Sequence, residues 1–340
     1  MAGPASFGLP TMLTAQMQDI VRFDDPSLDI PIRERADALD GWLEDAAPSE
    51  WAQLKQEWRI PDVRTAPVRQ LWSMFLASTH VARAVAEPTH ASVRSRVADL
   101  AGNPIRIAQV LPIAGGWLLE LPTDHPAIRS DLRTVAHPSI SGAMLAGVDP
   151  SQVTPEVVST VSKALEHIGN ASAELLGLVR THCGAICLVR AEPALEPGQC
   201  VSLTSKLIPG IVYVSPVPVI LMAESIVHEA AHLCLASAER RQSLYVDSNR
   251  RIMTPLRPDP RPISGLMHQV WVLLHLEVLY RALLANPSEA VVRNLGPVKK
   301  RLELHSDGLT QGLSALRSAS DGLTPAGMRL VEAISAAGAR

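Results

Sequence analysis

His228 and His232 stand four residues apart, with Glu229 directly after the first, in the run Val-His-Glu-Ala-Ala-His-Leu. On an α-helix this spacing sets both imidazoles on one face, one turn apart, where a ring nitrogen from each can reach a single metal ion. Glu229 is rotated by about 100° from His228, so it stands beside the pair, suited to activating a metal-bound water or to orienting a neighbour. Ala223, Ile226, Val227, Ala230, Ala231, Leu233 and Leu235 surround the motif, and residues 219 to 239 contain neither Gly nor Pro, which predicts a helix. The bland alternative is a surface helix with two ordinary histidines. The agreement of motif, helical pattern and a preceding strand argues against it.

Two further groups of residues bear on the same chemistry. Residues 253 to 265 read Met-Thr-Pro-Leu-Arg-Pro-Asp-Pro-Arg-Pro-Ile-Ser-Gly, and four prolines predict a stiff, extended loop from which Arg257 and Arg261 project. A guanidinium held in this way suits bidentate capture of a carboxylate. Ser264 is then expected to cap an apolar helix over 265–284 that carries His268, His275 and Glu277. A third metal ligand could come from His268 in its first turn or from Glu277, since a glutamate on a following helix commonly completes two-histidine zinc sites. His275 is expected to be buried and satisfied.

These residues need a scaffold, and the pattern predicts an α+β fold, mostly helical, with a small sheet beside the metal helix. Residues 1–149 form a helical first region, with amphipathic stretches at 31–43, 49–58 and 68–86 and four of the six tryptophans, Trp42, Trp51, Trp58 and Trp72. Core packing explains such residues, and a peptide-recognition groove would use the same type. Ile105 to Leu121 reads as a strand hairpin around Gly115-Gly116, and residues 149–155 as a linker, Thr154 capping a helix whose first residue is Pro155. A long helix to His182, interrupted near Gly169-Asn170, and short strands at 185–190, 200–207 and 210–214 lead into the metal helix. Residues 150–340 would thus be the catalytic domain.

Composition narrows the function classes. A net charge of −3 over 340 residues offers no footprint for nucleic acid, and no basic run suggests a membrane surface. No secretory signal pattern opens the chain and no uninterrupted apolar run looks long enough to span a bilayer, so a cytoplasmic protein is expected. Cys183, Cys187, Cys200 and Cys234 follow no C-x-x-C spacing and are expected to be buried thiols.

Taken together, His228-Glu-Ala-Ala-His232, Arg257-Pro-Asp-Pro-Arg261-Pro-Ile-Ser-Gly-Leu-Met-His268 and Leu323-Thr-Pro-Ala-Gly327 resemble the HExxH-domain proteins found beside ribosomally made peptide precursors. The resemblance covers roughly residues 150–340. It implies an iron(II)- and 2-oxoglutarate-dependent oxygenase, using dioxygen to hydroxylate a side-chain carbon of a precursor peptide. Carried over by position, His228, His232 and His268 would bind iron, Arg261 would anchor the cosubstrate, with Arg257 in reserve, and Glu229 would orient a neighbour or accept a proton. The commonest non-haem iron triad is two histidines and a carboxylate, which keeps Glu277 in play. Two other classes stay open. A zinc peptidase would use Glu229 as general base and Glu277 as third ligand, although Leu235 and Ala238 stand where the metzincin motif needs Gly and His. A catalytically silent peptide-binding module would carry the motif without turnover.

Overall fold

The protein is described here from a computed structural model covering residues 105–135, 147–192 and 200–338, less 115, 206, 207, 255 and 256, together with isolated positions before 105. Of the amphipathic stretches expected before residue 100 the structure describes only isolated positions, Ser49, Ala52 and Gln56 in one and Ser73, Leu76, Ala77 and His80 in another, all helical; Trp42, Trp51, Trp58 and Trp72 lie outside the described residues. The architecture is α+β and mostly helical. Two compact units divide it, each drawn from separate stretches of the sequence: among the described residues one takes in 160–182 and 218–338, the other 105–159 and 183–217.

The second of these units is built on a mixed sheet. Strands β1 (Gln109–Ile113) and β2 (Gly116–Glu120) form the expected hairpin, and β2 then pairs in parallel with β4 (Ala185–Glu192). Next come β6 (Ile208–Val214), parallel to β4, and β5 (Ser202–Ser205), antiparallel to β6. Asp149 and Pro150, the start of the segment expected as a linker, belong to β3 (Gly147–Pro150), antiparallel to β4 with Val148 buried, while 151–154 connect it to the next helix without regular structure. Ala185 to Val189 are all buried, as a continuous apolar run should be in a strand with parallel neighbours on both sides. Helix α1 (Pro126–Val135) packs on β3, and His125 just before it donates through Nε2 to the Asn103 carbonyl oxygen at 2.6 Å. A carbonyl only accepts, so Nε2 carries the proton.

The helical unit holds the motif. The long helix expected up to His182 is two, α2 (Pro155–Ala171) and α3 (Ala173–His182), broken at Ser172, whose Oγ accepts from Leu175 N at 3.2 Å and so caps the second. At the start of α2, Thr154 Oγ1 accepts from Val157 N at 3.4 Å, as the cap reading requires. Helix α4 (Val219–Arg241) carries the two histidines, and α3 packs against it. By length and mean hydropathy α4 passes for a membrane span, but Glu224, His228, Glu229 and His232 interrupt it and 78 % of the apolar window is buried within the protein, as in a core helix.

The proline-rich segment is no loop. Strands β7 (Arg251–Thr254) and β8 (Arg257–Pro262) form an antiparallel pair, with Ile252 opposite Arg261 and Arg251 opposite Pro262. Among the described residues β8 pairs on one side only, so prolines at 258, 260 and 262 are tolerated there with no second partner wanting their missing N–H groups. Helix α5 (Ile263–Ala285) follows at once, capped by Pro262 rather than Ser264, whose Oγ instead donates to the Ser248 carbonyl at 2.9 Å. Apolar on every side, α5 is buried accordingly, packed by α4, α7 (Leu295–Ser318) and α8 (Pro325–Gly338), with the short α6 (Glu289–Arg293) between α5 and α7. Cys183, Cys187 and Cys234 are buried free thiols, and Cys200 is half-buried.

Candidate metal centre

Along α4, Glu224, His228, His232 and Glu239 fall within an arc of roughly 80°. They make one polar stripe on an otherwise buried helix. Within it, Nε2 of His228 and Nε2 of His232 face each other at 3.2 Å. Two imidazole nitrogens bound to one ion at about 2.0–2.1 Å stand roughly 2.9 Å apart at a right angle and roughly 3.3 Å apart at the tetrahedral angle. The observed separation falls in that interval, so this pair fits neighbouring ligands of a single ion. The His228 side chain keeps 38 % exposure. Even so, the protein packed around its recess disfavours the charged ring and pushes it down to about 4, leaving a neutral imidazole with a lone pair to give.

His268 joins the histidines in an unexpected place. Its Nδ1 lies 3.0 Å from Nδ1 of His232, on the edge of that ring opposite to the one facing His228. The two rings stack with centroids 5.2 Å apart. On its far side, His268 Nε2 lies 3.0 Å from Glu239 Oε1, although its N–H does not point along that line, so the contact is electrostatic rather than a formed hydrogen bond. Glu239 in turn accepts a 2.6 Å hydrogen bond from the Tyr245 hydroxyl. His268 thus stands behind His232 and not beside the pair. Among the described residues, no three His, Cys, Asp or Glu side chains converge in an arrangement that holds a metal ion.

Glu277, the rival third ligand, is committed elsewhere. Its Oε1 accepts from Arg281 Nε at 2.9 Å, from Arg281 Nη2 at 2.5 Å and from the Ser306 hydroxyl at 3.0 Å. Glu229 is buried, with Oε1 3.9 Å from His228 Nε2. Arg261 is half-buried in β8, directly before the Pro262 cap of α5. Arg257 is paired through its backbone with Thr254, and its side chain lies outside the described set. An open groove of about 670 Å³ adjoins the β7 strand and α7, lined by Arg250, Ile252, Met253, Gln311 and Ser318 among others.

At the other end of the stripe, sequence reasoning missed a second buried cluster. Glu224 accepts from Arg301 Nη1 at 2.6 and 2.8 Å and from the Tyr280 hydroxyl, with His305 Nε2 3.7 Å away. Burial raises the Glu224 pKa, opposed by the Arg301 charge and by the hydrogen bonds from Tyr280 and Arg301. Burial pushes His305 down to about 4, assisted by the charge of Arg301. The usable signal was the motif's own spacing, since Glu224 lies four residues before His228 and Glu239 seven after His232.

His275 is buried as expected, its Nδ1 donating to the Trp271 carbonyl at 2.8 Å. Burial pushes it down to about 4, against the opposing pull of that hydrogen bond. An unfolded histidine titrates near 6.5. The folded pKa is therefore depressed, so the contribution is complete above about pH 6.5 and is lost as pH falls toward 4, by about 3 kcal/mol. Chemical denaturation from pH 7 to pH 4 should show His275→Gln losing stability less steeply than wild type; parallel slopes would contradict a neutral buried imidazole.

No protein-family model matches the chain, and no curated protein is significantly similar to it.

Proposed function

We propose that this chain is an iron(II)- and 2-oxoglutarate-dependent oxygenase that hydroxylates a side-chain carbon of a ribosomally made precursor peptide in the cytoplasm. The observation that carries the metal part is the 3.2 Å approach of the two Nε2 atoms on α4. The motif resemblance supplies the reaction class. In this reading His228 and His232 would hold the ion. Iron(II), when bound, supplies the activation of dioxygen coupled to decarboxylation of 2-oxoglutarate, giving hydroxylated peptide, succinate and carbon dioxide. The chain's own residues position and exclude water. Arg261, fixed by strand pairing, binds the cosubstrate's distal carboxylate, and the groove along β7 and α7 receives the peptide.

The test is titration of the anaerobic iron form with 2-oxoglutarate, followed by its metal-to-ligand charge-transfer absorbance. Arg261→Ala should weaken the cosubstrate roughly ten- to hundredfold, the loss of a charge-assisted contact of on the order of 1.5–3 kcal/mol. Arg261→Lys should recover only part, since an ammonium lacks the guanidinium fork. Equal affinity in all three proteins would remove Arg261 from this role, and no absorbance band in wild type would remove the oxygenase.

One observation favours a second reading. A buried carboxylate 3.9 Å from the metal-facing nitrogen of His228 is placed as a zinc peptidase places its general base. A peptidase would lose nearly all activity in Glu229→Gln. The oxygenase should retain substantial 2-oxoglutarate turnover, so specific cleavage of peptide by wild type, lost in that variant, would decide for the peptidase.

A further inference from the structure

We propose that Tyr245, Glu239 and His268 act as a positioning relay that fixes the tautomer and the orientation of His232, leaving its Nε2 lone pair for the metal. The inference rests on the metal centre proposed above, and concerns what makes that centre competent. A neutral imidazole carries its proton on one nitrogen only, and the partner of the other nitrogen decides which. For Nε2 of His232 to bind an ion, Nδ1 must hold the hydrogen. The atom 3.0 Å from that Nδ1 is Nδ1 of His268, which must then accept. His268 therefore carries its own proton on Nε2, the nitrogen that lies 3.0 Å from Glu239 Oε1 and is held there by electrostatic attraction rather than a formed hydrogen bond.

The sense of the chain is set at its acidic end. An ionised carboxylate only accepts, so Glu239 cannot donate back to His268. Tyr245 cannot reverse it either. Its hydroxyl donates to the same Oε1 at 2.6 Å, and burial together with the Glu239 charge raises its pKa, so it stays protonated. Each proton in the series sits on the nitrogen or oxygen nearer Glu239, and the arrangement that keeps a bare ring lone pair away from the carboxylate is Nδ1–H on His232 and Nε2–H on His268.

The relay is itself braced. Ser243 Oγ donates to the Tyr245 carbonyl at 2.8 Å, and Tyr245 forms an antiparallel bridge with Leu323. Thr324 N donates to the Leu244 carbonyl at 3.1 Å, and Thr324 Oγ1 donates to the Ser243 carbonyl at 2.7 Å and caps α8 by accepting from Gly327 N at 3.2 Å. Gly327 lets the two backbones meet, because a Cβ there would stand 2.2 Å from the Leu244 carbonyl oxygen. The Leu323-Thr-Pro-Ala-Gly327 sequence thus holds the segment that carries Tyr245.

The test uses the full chain, stripped of metal and titrated with Zn(II) against a chromophoric chelator. Outer partners of metal-bound histidines are typically worth ten- to a hundredfold in affinity. Glu239→Gln should show that loss although it preserves shape, because its amide can donate to His268 and permit the opposite tautomer; Tyr245→Phe should lose less. Long-range proton–nitrogen NMR of the imidazoles should find His232 protonated at Nδ1 in wild type and mixed in Glu239→Gln, a change that loss of packing alone would not produce. X-ray absorption on the zinc form should count two histidine nitrogens in wild type and still two in His268→Ala. Three falling to two would make His268 a ligand and overturn the relay, as would wild-type affinity and an unchanged tautomer in Glu239→Gln. The metal centre itself fails on different results: no zinc uptake by wild type, or undiminished uptake by His228→Ala.

Discussion

Under the proposed reading, alanine at His228 or at His232 is expected to abolish metal binding and to leave the helical fold standing. Each substitution removes one of the two nitrogens that face each other at 3.2 Å, and the described residues offer no convergent group of three to take up the loss. Structural zinc sites with four ligands bind with about 10–16 kcal/mol, which is roughly 3 kcal/mol per ligand and more than a hundredfold in affinity. A site that starts from two histidines falls below useful occupancy. The fold should tolerate the change, because both side chains sit at the half-buried edge of α4 while Ile226, Val227, Ala230 and Ala231 form its core contacts. Metal content after anaerobic reconstitution, read beside far-ultraviolet circular dichroism, checks both halves of the expectation. Full iron occupancy in either variant would sink the site.

Removing Arg301 is expected to cost the fold about 3–5 kcal/mol, the range for breaking a buried ion pair from one side. Glu224 is buried on α4, and Arg301 on α7 supplies two of its hydrogen bonds, at 2.6 and 2.8 Å. In Arg301→Leu the carboxylate keeps the Tyr280 hydroxyl but loses its counter-charge. Its pKa, already raised by burial, should rise further. A carboxyl whose folded pKa lies above its unfolded one contributes most fully when protonated, so the deficit should be large near pH 8 and should shrink as pH falls toward 5. Arg301 also helps to keep His305 neutral, and its loss lets that ring take up a proton near Glu224, which acts in the same direction. Urea denaturation at the two pH values measures this. Arg301→Met combined with Glu224→Gln should recover most of the loss, since no uncompensated charge then remains. A single variant as stable as wild type at pH 8 would show that the cluster is solvated.

Local pattern carried what local physics decides. The α4 motif, the Thr154 cap, the β1–β2 hairpin and the run into β6 follow from spacing, capping chemistry and turn residues, all within a few positions of one another. The proline-rich stretch was harder, because proline weakens a strand only where both edges are paired, and the sequence does not say that β8 has a single neighbour. The unit division was hidden for a related reason: β2 joins β4 across more than sixty residues by parallel pairing, which leaves no turn signal. In the site, His228 and His232 were legible because one helix sets both. The direction of the His268 ring was not, since it depends on Glu239 and Tyr245 from another element. Glu224 and Arg301 are 77 positions apart, and at that distance two charges have no signature as a pair.

The clasp between Ser243 and Thr324 spans 81 residues and has a consequence for the order of assembly. During synthesis α4 leaves the ribosome with both histidines long before the chain that braces Tyr245 exists. A nascent chain could meet metal at that stage with His232 free to protonate either nitrogen. Only when the segment around Gly327 has emerged can the Leu244 carbonyl settle against it and the relay acquire its sense. Contacts this distant in sequence form late, after the local helices. In the proposed reading, tight metal capture is then among the last events of biogenesis, timed by the translation of a motif that never touches the ion.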